Sequence, residues 1–121
     1  MKTHSRRPTI KSLLRDLFSE ERALAMDTFV CETPFELQKL RAAALRGDRS
    51  MLAELGYTLR QTSARVGAQA FAQQAAHLQM LVAEGAGNAI VSTVLQRLQV
   101  AYVVIAPQMR AHLRELARLQ V

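Results

Sequence analysis

Tryptophan is absent from this chain, cysteine occurs once, proline three times and glycine five times. Each scarcity closes off a class of protein. A lone Cys31 cannot form an internal disulfide, and no Cys/His cluster has metal-ligand spacing, so neither a disulfide scaffold nor a metal module is expected. Aromatics are few and β-branched residues are sparse before the last segment, which leaves little material for a sheet. No uninterrupted apolar run reaches the roughly 18 residues of a membrane span. The start, MKTHSRRPT, is followed by no apolar segment of the kind a secretory signal carries. These absences lead to the expectation of a soluble cytoplasmic protein with no membrane association, no metal and no cofactor.

What is present is helix-forming. Half of the 121 residues are apolar, enough for one core and one domain. Ala, Leu, Gln, Arg and Glu dominate, and all favour helices, so the chain reads as all-α. Its net charge of +6 is unevenly placed. Lys2, Arg6, Arg7, Lys11 and Arg15 precede the first acid, Asp16, and the remainder is nearly balanced. A basic arm on a balanced body lacks the dense cationic stripe of a nucleic-acid binder. A frayed terminus accounts for it. Nucleic-acid binding that weakens steeply with salt is the competing account.

Residues 1–8 read as a disordered basic arm and residues 9–121 as one helical domain. Pro8 stands at the entry to a first helix with an apolar stripe of Ile10, Leu13, Leu14, Leu17 and Phe18. Ser19 before Glu20, Glu21 and Arg22 reads as the N-cap of a second helix. That helix carries Leu24, Phe29, Val30, Leu37, Leu40, Ala44 and Leu45, with Pro34 expected to kink it or split it near Thr33. Gly47 ends it and Asp48 caps the next, which runs to about Val66. Gly67-Ala68 turns the chain into a helix with Phe71, Ala75, Leu78 and Val82 on one face. Gly85-Ala86-Gly87-Asn88 is the clearest loop, with Asn88 as N-cap of the last helix. There Val91, Val94, Leu95, Leu98, Tyr102, Ile105, Leu113 and Leu116 form the stripe, interrupted by Pro107. Short loops between long helices imply an antiparallel, up-down four-helix bundle with an additional N-terminal helix.

The stretch Gly56–Ala68, GYTLRQTSARVGA, is the most specific in the chain. Leu52, Leu55, Leu59, Thr62 and Val66 recur at the spacing of one helix face. Tyr57, two residues from Leu59, lies about 200° round the helix and points outward with Arg60, Gln61 and Ala64 beside it. The stretch resembles the central helix of the histidine-containing phosphotransfer (HPt) domain of bacterial multistep phosphorelays, A-H-T-L-K-G-S-S-A-N-L-G-A. Tyr57 takes the place of the phosphorylated histidine. Thr58 and Leu59 are identical, Arg60 stands for the lysine and Gln61 for the glycine. Thr62 and Ser63 stand for the two small residues, and Arg65 and Val66 for Asn and Leu. Ala64, Gly67 and Ala68 match. The preceding LQKLRAAALRGDRSMLAEL is similar to the family's previous helix and Gly-Asp turn, and the likeness extends with decreasing strength from about Met26 to about Leu113.

The resemblance implies an HPt-like bundle whose partner is a receiver domain or a sensor histidine kinase. It also implies that the family's chemistry is lost. Transfer needs an exposed imidazole to take phosphate from an aspartyl phosphate and pass it on as a labile phosphoramidate. A phenol is a poor nucleophile near neutral pH, and its phosphate ester is a poor donor. Gln61 fills the place where the family's glycine leaves room for a receiver loop, while Arg60 keeps a positive charge for an acidic partner. The expected docking face is therefore Tyr57, Arg60, Gln61, Ala64 and Arg65, without phosphorylation; a helix whose outer face has no function is the plainer account.

Other features carry less. His4, His77 and His112 lack the motif's surroundings, and Met51, Met80 and Met109 read as core or boundary fillers. No Ser/His/Asp set, paired-carboxylate site or phosphate-cradling Gly loop occurs, so an enzyme is not expected. Val100, Val103 and Val104 lie beyond the main stripe of the last helix. Either the N-terminal helix covers them, or they form a self-association or partner face. A structural or oligomeric module using that face, as in a homodimer, is the alternative to a phosphorelay role.

Overall fold

Glycine-centred turns set the topology. The computed structural model describes residues 9–119, with the side chains of residues 12–18 excepted. Among them the chain forms α1 (Ile10–Arg46), α2 (Arg49–Arg65), α3 (Gln69–Ala83) and α4 (Asn88–Leu119), and no strand. Gly47 ends α1 with φ +68° and Gly67 follows α2 with φ +79°, a region that other residues enter only at a cost. The next amide reaches back five residues in both turns, Asp48 to the Ala43 carbonyl at 2.8 Å and Ala68 to the Ser63 carbonyl at 2.9 Å. This bond closes the helix end and reverses the chain. Asp48 then caps α2, its carboxylate accepting from the Met51 amide at 3.1 Å. Before α4 the Gly87 carbonyl accepts from Ile90 and Val91, so the cap falls on Gly87, with Asn88 the first helical residue.

Each helix packs on its chain neighbour, and α1 closes the ring on α4. The result is an up-down four-helix bundle with α2 and α4 at diagonal corners. Its core is one cluster that includes Leu37 and Leu40, Leu52 and Leu59, Phe71 and Leu78, and Val91, Val94 and Leu98. The helices differ greatly in length: 37 and 32 residues for α1 and α4, 17 and 15 for α2 and α3. At 1.5 Å per residue that is about 55 and 48 Å against about 25 and 22 Å. The first half of α1 and the last half of α4 thus run on as a pair beyond the other two. Phe29, Phe71 and Tyr102 sit where four helices become two. Phe29 meets Phe71 edge-on at 5.3 Å, and the Tyr102 ring lies tilted to it at 6.2 Å.

Several expectations are corrected. The additional N-terminal helix is not a separate element, because α1 runs unbroken through Ser19. No glycine or proline stands between Ile10 and Thr33, so a cap residue there has no break to stabilise. The basic arm (residues 1–8, with His4) and the stripe of Leu13, Leu14, Leu17 and Phe18 lie outside the described residues and side chains. Pro34 does not split α1. It removes the amide that would pair with the Val30 carbonyl, and the Tyr102 hydroxyl of α4 donates to that carbonyl instead. Pro107 likewise lies within α4, on its exposed side. Leu24 and Leu45 are exposed rather than in the stripe, and Ser63 rather than half-buried Thr62 completes the buried face of α2. By length and composition α4 could cross a membrane, although none of its uninterrupted apolar runs reaches about 18 residues; one of its faces lines the core, and core helices pass the same test.

Arg49 ties the closed end of the bundle. Its guanidinium donates to the carbonyls of Val82 at 2.9 Å and Ala86 at 3.0 Å, closing the C-terminal end of α3. Arg49→Met keeps the aliphatic stem and removes both bonds. Its expected cost is about 1 kcal/mol, read as a lower urea midpoint with an unchanged slope.

Candidate docking face

α2 presents Tyr57, Gln61 and Ala64 on its outer ridge, all three exposed, Tyr57 at 52 %. The opposite side of the helix is buried through Leu52, Leu55, Gly56, Leu59 and Ser63. Burying Ser63 costs little, because its hydroxyl donates to the Leu59 carbonyl at 2.5 Å. Gly56 lets α2 approach α3 closely. A Cβ added there would come within 3.2 Å of the Gln79 Cγ.

The two arginines of the expected face do not share the ridge. Arg60 follows Gly56 by one turn and so lies on the α3 shoulder of α2. It is half-buried, with its guanidinium carbon 5.8 Å from the centroid of the Tyr57 ring, a cation–π contact that holds both side chains along the surface. Arg65 lies on the α1 shoulder. With Thr62 it forms one wall of a groove of about 430 Å³, whose α1 wall includes Glu21, Leu24, Glu32 and Glu36. Burial raises the Glu36 carboxyl above its ordinary pKa, Glu32 adds to the rise, and Lys39 opposes it. The face is therefore a neutral ridge of tyrosine, glutamine and alanine. A cation lies folded onto it on one side, and a second stands beside an acidic groove on the other.

Elsewhere, His77 is half-buried on α3 and His112 is exposed on α4. Among the described residues no group of three His, Cys, Asp or Glu side chains is placed to hold a metal ion. Met109 is buried and Met51 half-buried against the core, whereas Met80 is exposed, contrary to a filler's role. Cys31 is exposed and donates to the Asp27 carboxylate at 3.9 Å. Val100, Val103 and Val104 are 57, 58 and 59 % exposed, so the covered arrangement of that band is not the one adopted. Sequence reasoning missed Arg49 and Gly56. A glycine inside a strong helical pattern was the available signal for a close helix approach.

The class these observations define is an all-α, antiparallel four-helix bundle with two overlong helices. No protein-family model matches the chain, and neither a curated protein nor a solved structure matches it.

Proposed function

We propose that this chain is a degenerate HPt-like protein, a binding and regulatory component of bacterial two-component signalling that passes no phosphate and catalyses no reaction. In the cytoplasm it docks a receiver domain or a sensor histidine kinase through the α2 ridge of Tyr57, Gln61 and Ala64, with Arg60 and Arg65 on its shoulders. The observation that carries this reading is the outward placement of Tyr57, at the position where the resembled motif has its histidine. An all-helical bundle, with the motif on its second helix and the ridge open to solvent, supports it. Arg60, drawn onto the Tyr57 ring, offers its charge from the side of the ridge rather than its crest.

Incubation with phosphorylated receiver domains tests the reading. The wild-type chain is expected to acquire no phosphate, and Tyr57→His combined with Gln61→Gly is expected to acquire it. Phosphate on the wild-type chain defeats the incompetence. A double variant that neither takes phosphate nor binds any receiver or kinase defeats the docking role. The exposed valines of α4 favour a second reading, an interaction module that works through that helix and needs no phosphorelay partner.

A further inference from the structure

We propose that the outer face of α4, where it outruns α3, is a docking site for an acidic amphipathic helix of a partner protein. Val100, Val103 and Val104 stand exposed at helical spacing, and exposed Pro107 and Ala111 continue the same face. The cause is the length mismatch. The furrow between α3 and α4 is lined by Ala70 and Gln74 on one side and by Gln96, Arg97, Val100 and Ala101 on the other. α3 begins at Gln69, so α4 continues for about five further turns with no α3 beside it. A helix that prolonged the line of α3 would seat on the valines.

Charge selects the occupant. α4 carries Arg97, Arg110, Arg114 and Arg118 against one acid, Glu115, which Arg118 already holds at 3.4 Å. α3 contains no acidic residue, and Ala68 at its N-cap offers the first amides no side-chain acceptor. The positive pole of that helix therefore faces the same ledge. A second copy of the chain would bring arginine against arginine. A bilayer would meet a ridge of valines in place of the Trp, Phe and Leu that anchor interfacial helices. An acidic helix instead covers the valines with one apolar stripe and gives carboxylates to the arginines on either side. The site does not depend on the Tyr57 ridge, which lies at the diagonal corner of the bundle. A chain with both surfaces bridges two partners.

Fluorescence polarisation with a labelled amphipathic helix of Leu, Ala and Glu, about 18 residues long so that helix is accessible to it, tests the proposal on the full chain. The wild-type chain is expected to bind it and to ignore the same peptide with Lys in place of Glu. Arg97→Glu with Arg114→Glu is expected to weaken binding about tenfold. Val100→Asp with Val104→Asp is expected to abolish it, and Tyr57→Ala to leave it unchanged. All these positions are exposed or partly so, and far-UV circular dichroism confirms that each variant keeps its helix content. Equal binding of the lysine peptide, or binding of neither, overturns the proposal. So does a dimer in light scattering that Val100→Asp disperses, or co-sedimentation of the wild-type chain with phosphatidylglycerol vesicles.

Discussion

Phe71→Ala is expected to cost about 3–5 kcal/mol of stability, enough to leave a domain of this size near its folding threshold. Phe71 is 2 % exposed and meets Phe29 edge-on at 5.3 Å, at the level where the four-helix section ends. It is the one aromatic residue of α3, whose other buried residues are Ala72, Ala75, Leu78 and Val82. Two of those four are alanines, which cannot swing into a void, so the cavity stays open and the cost falls in the upper range for such truncations. The loss also removes the ring contact that links α1 to α3 across the bundle diagonal. Urea unfolding followed by far-UV circular dichroism measures it as a fall in midpoint with an unchanged slope. Phe35→Ala, the same truncation at a site 65 % exposed, is expected to stay within about 0.5 kcal/mol of wild type. Equal costs at the two sites would refute the placement of the aromatic cluster.

Local grammar carried much of this fold and failed where a long-range contact decided. Gly47-Asp48 and Gly67-Ala68 were legible as turns because the left-handed glycine and the cap act within five residues of one another. Ser19 was misleading for the same reason. A cap signal states where a helix can begin, and in α1 nothing required one to end. Ser63 escaped an apolar pattern because its polarity is cancelled inside its own helix by the Leu59 carbonyl. Leu24, five residues before Phe29, lies roughly opposite the centre of the buried stripe that includes Met26, Phe29, Leu37 and Leu40, so about 100° per residue already places it on the exposed side.

The docking face shows the same division. That Tyr57, Gln61 and Ala64 point outward follows from 100° per residue alone. That Arg60 and Arg65, five residues and about 140° apart, part company follows from the same rule, whereas the neighbour each one faces, α3 or α1, follows only from the packing. In sequence the arginines look like two charges on one patch. Their separation shifts the expectation from an electrostatic dock toward contact made chiefly by the phenol ring and the short side chains beside it. The valine band of α4 was legible as surplus apolar surface, and its cover depended on where α3 begins.

The bond from Tyr102 to the Val30 carbonyl should be worth most of the tolerance α1 shows for Pro34. Proline at 34 supplies no amide, so the Val30 carbonyl loses its i+4 donor, and the buried Tyr102 hydroxyl takes that role from α4. Tyr102→Phe keeps the ring against Phe29 and removes only the donor. It is expected to cost about 1–3 kcal/mol, the penalty for a buried acceptor left unpaired. Pro34→Ala restores an amide within reach of the same carbonyl, and in the Tyr102→Phe background it is expected to recover most of that loss. Burial raises the Tyr102 pKa above 10 despite the opposing pull of Arg110. A group held protonated by folding contributes its stabilisation below its unfolded pKa and loses it as pH rises through the folded one. The stability gap between wild type and Tyr102→Phe should therefore be full at neutral pH and narrow above about pH 10, as the phenolate forms and can no longer donate. A double-mutant cycle at neutral pH gives the decisive number. If Tyr102→Phe costs as much in the Pro34→Ala background as in the wild-type chain, the hydroxyl is not compensating for the proline, and α1 must accommodate it in another way.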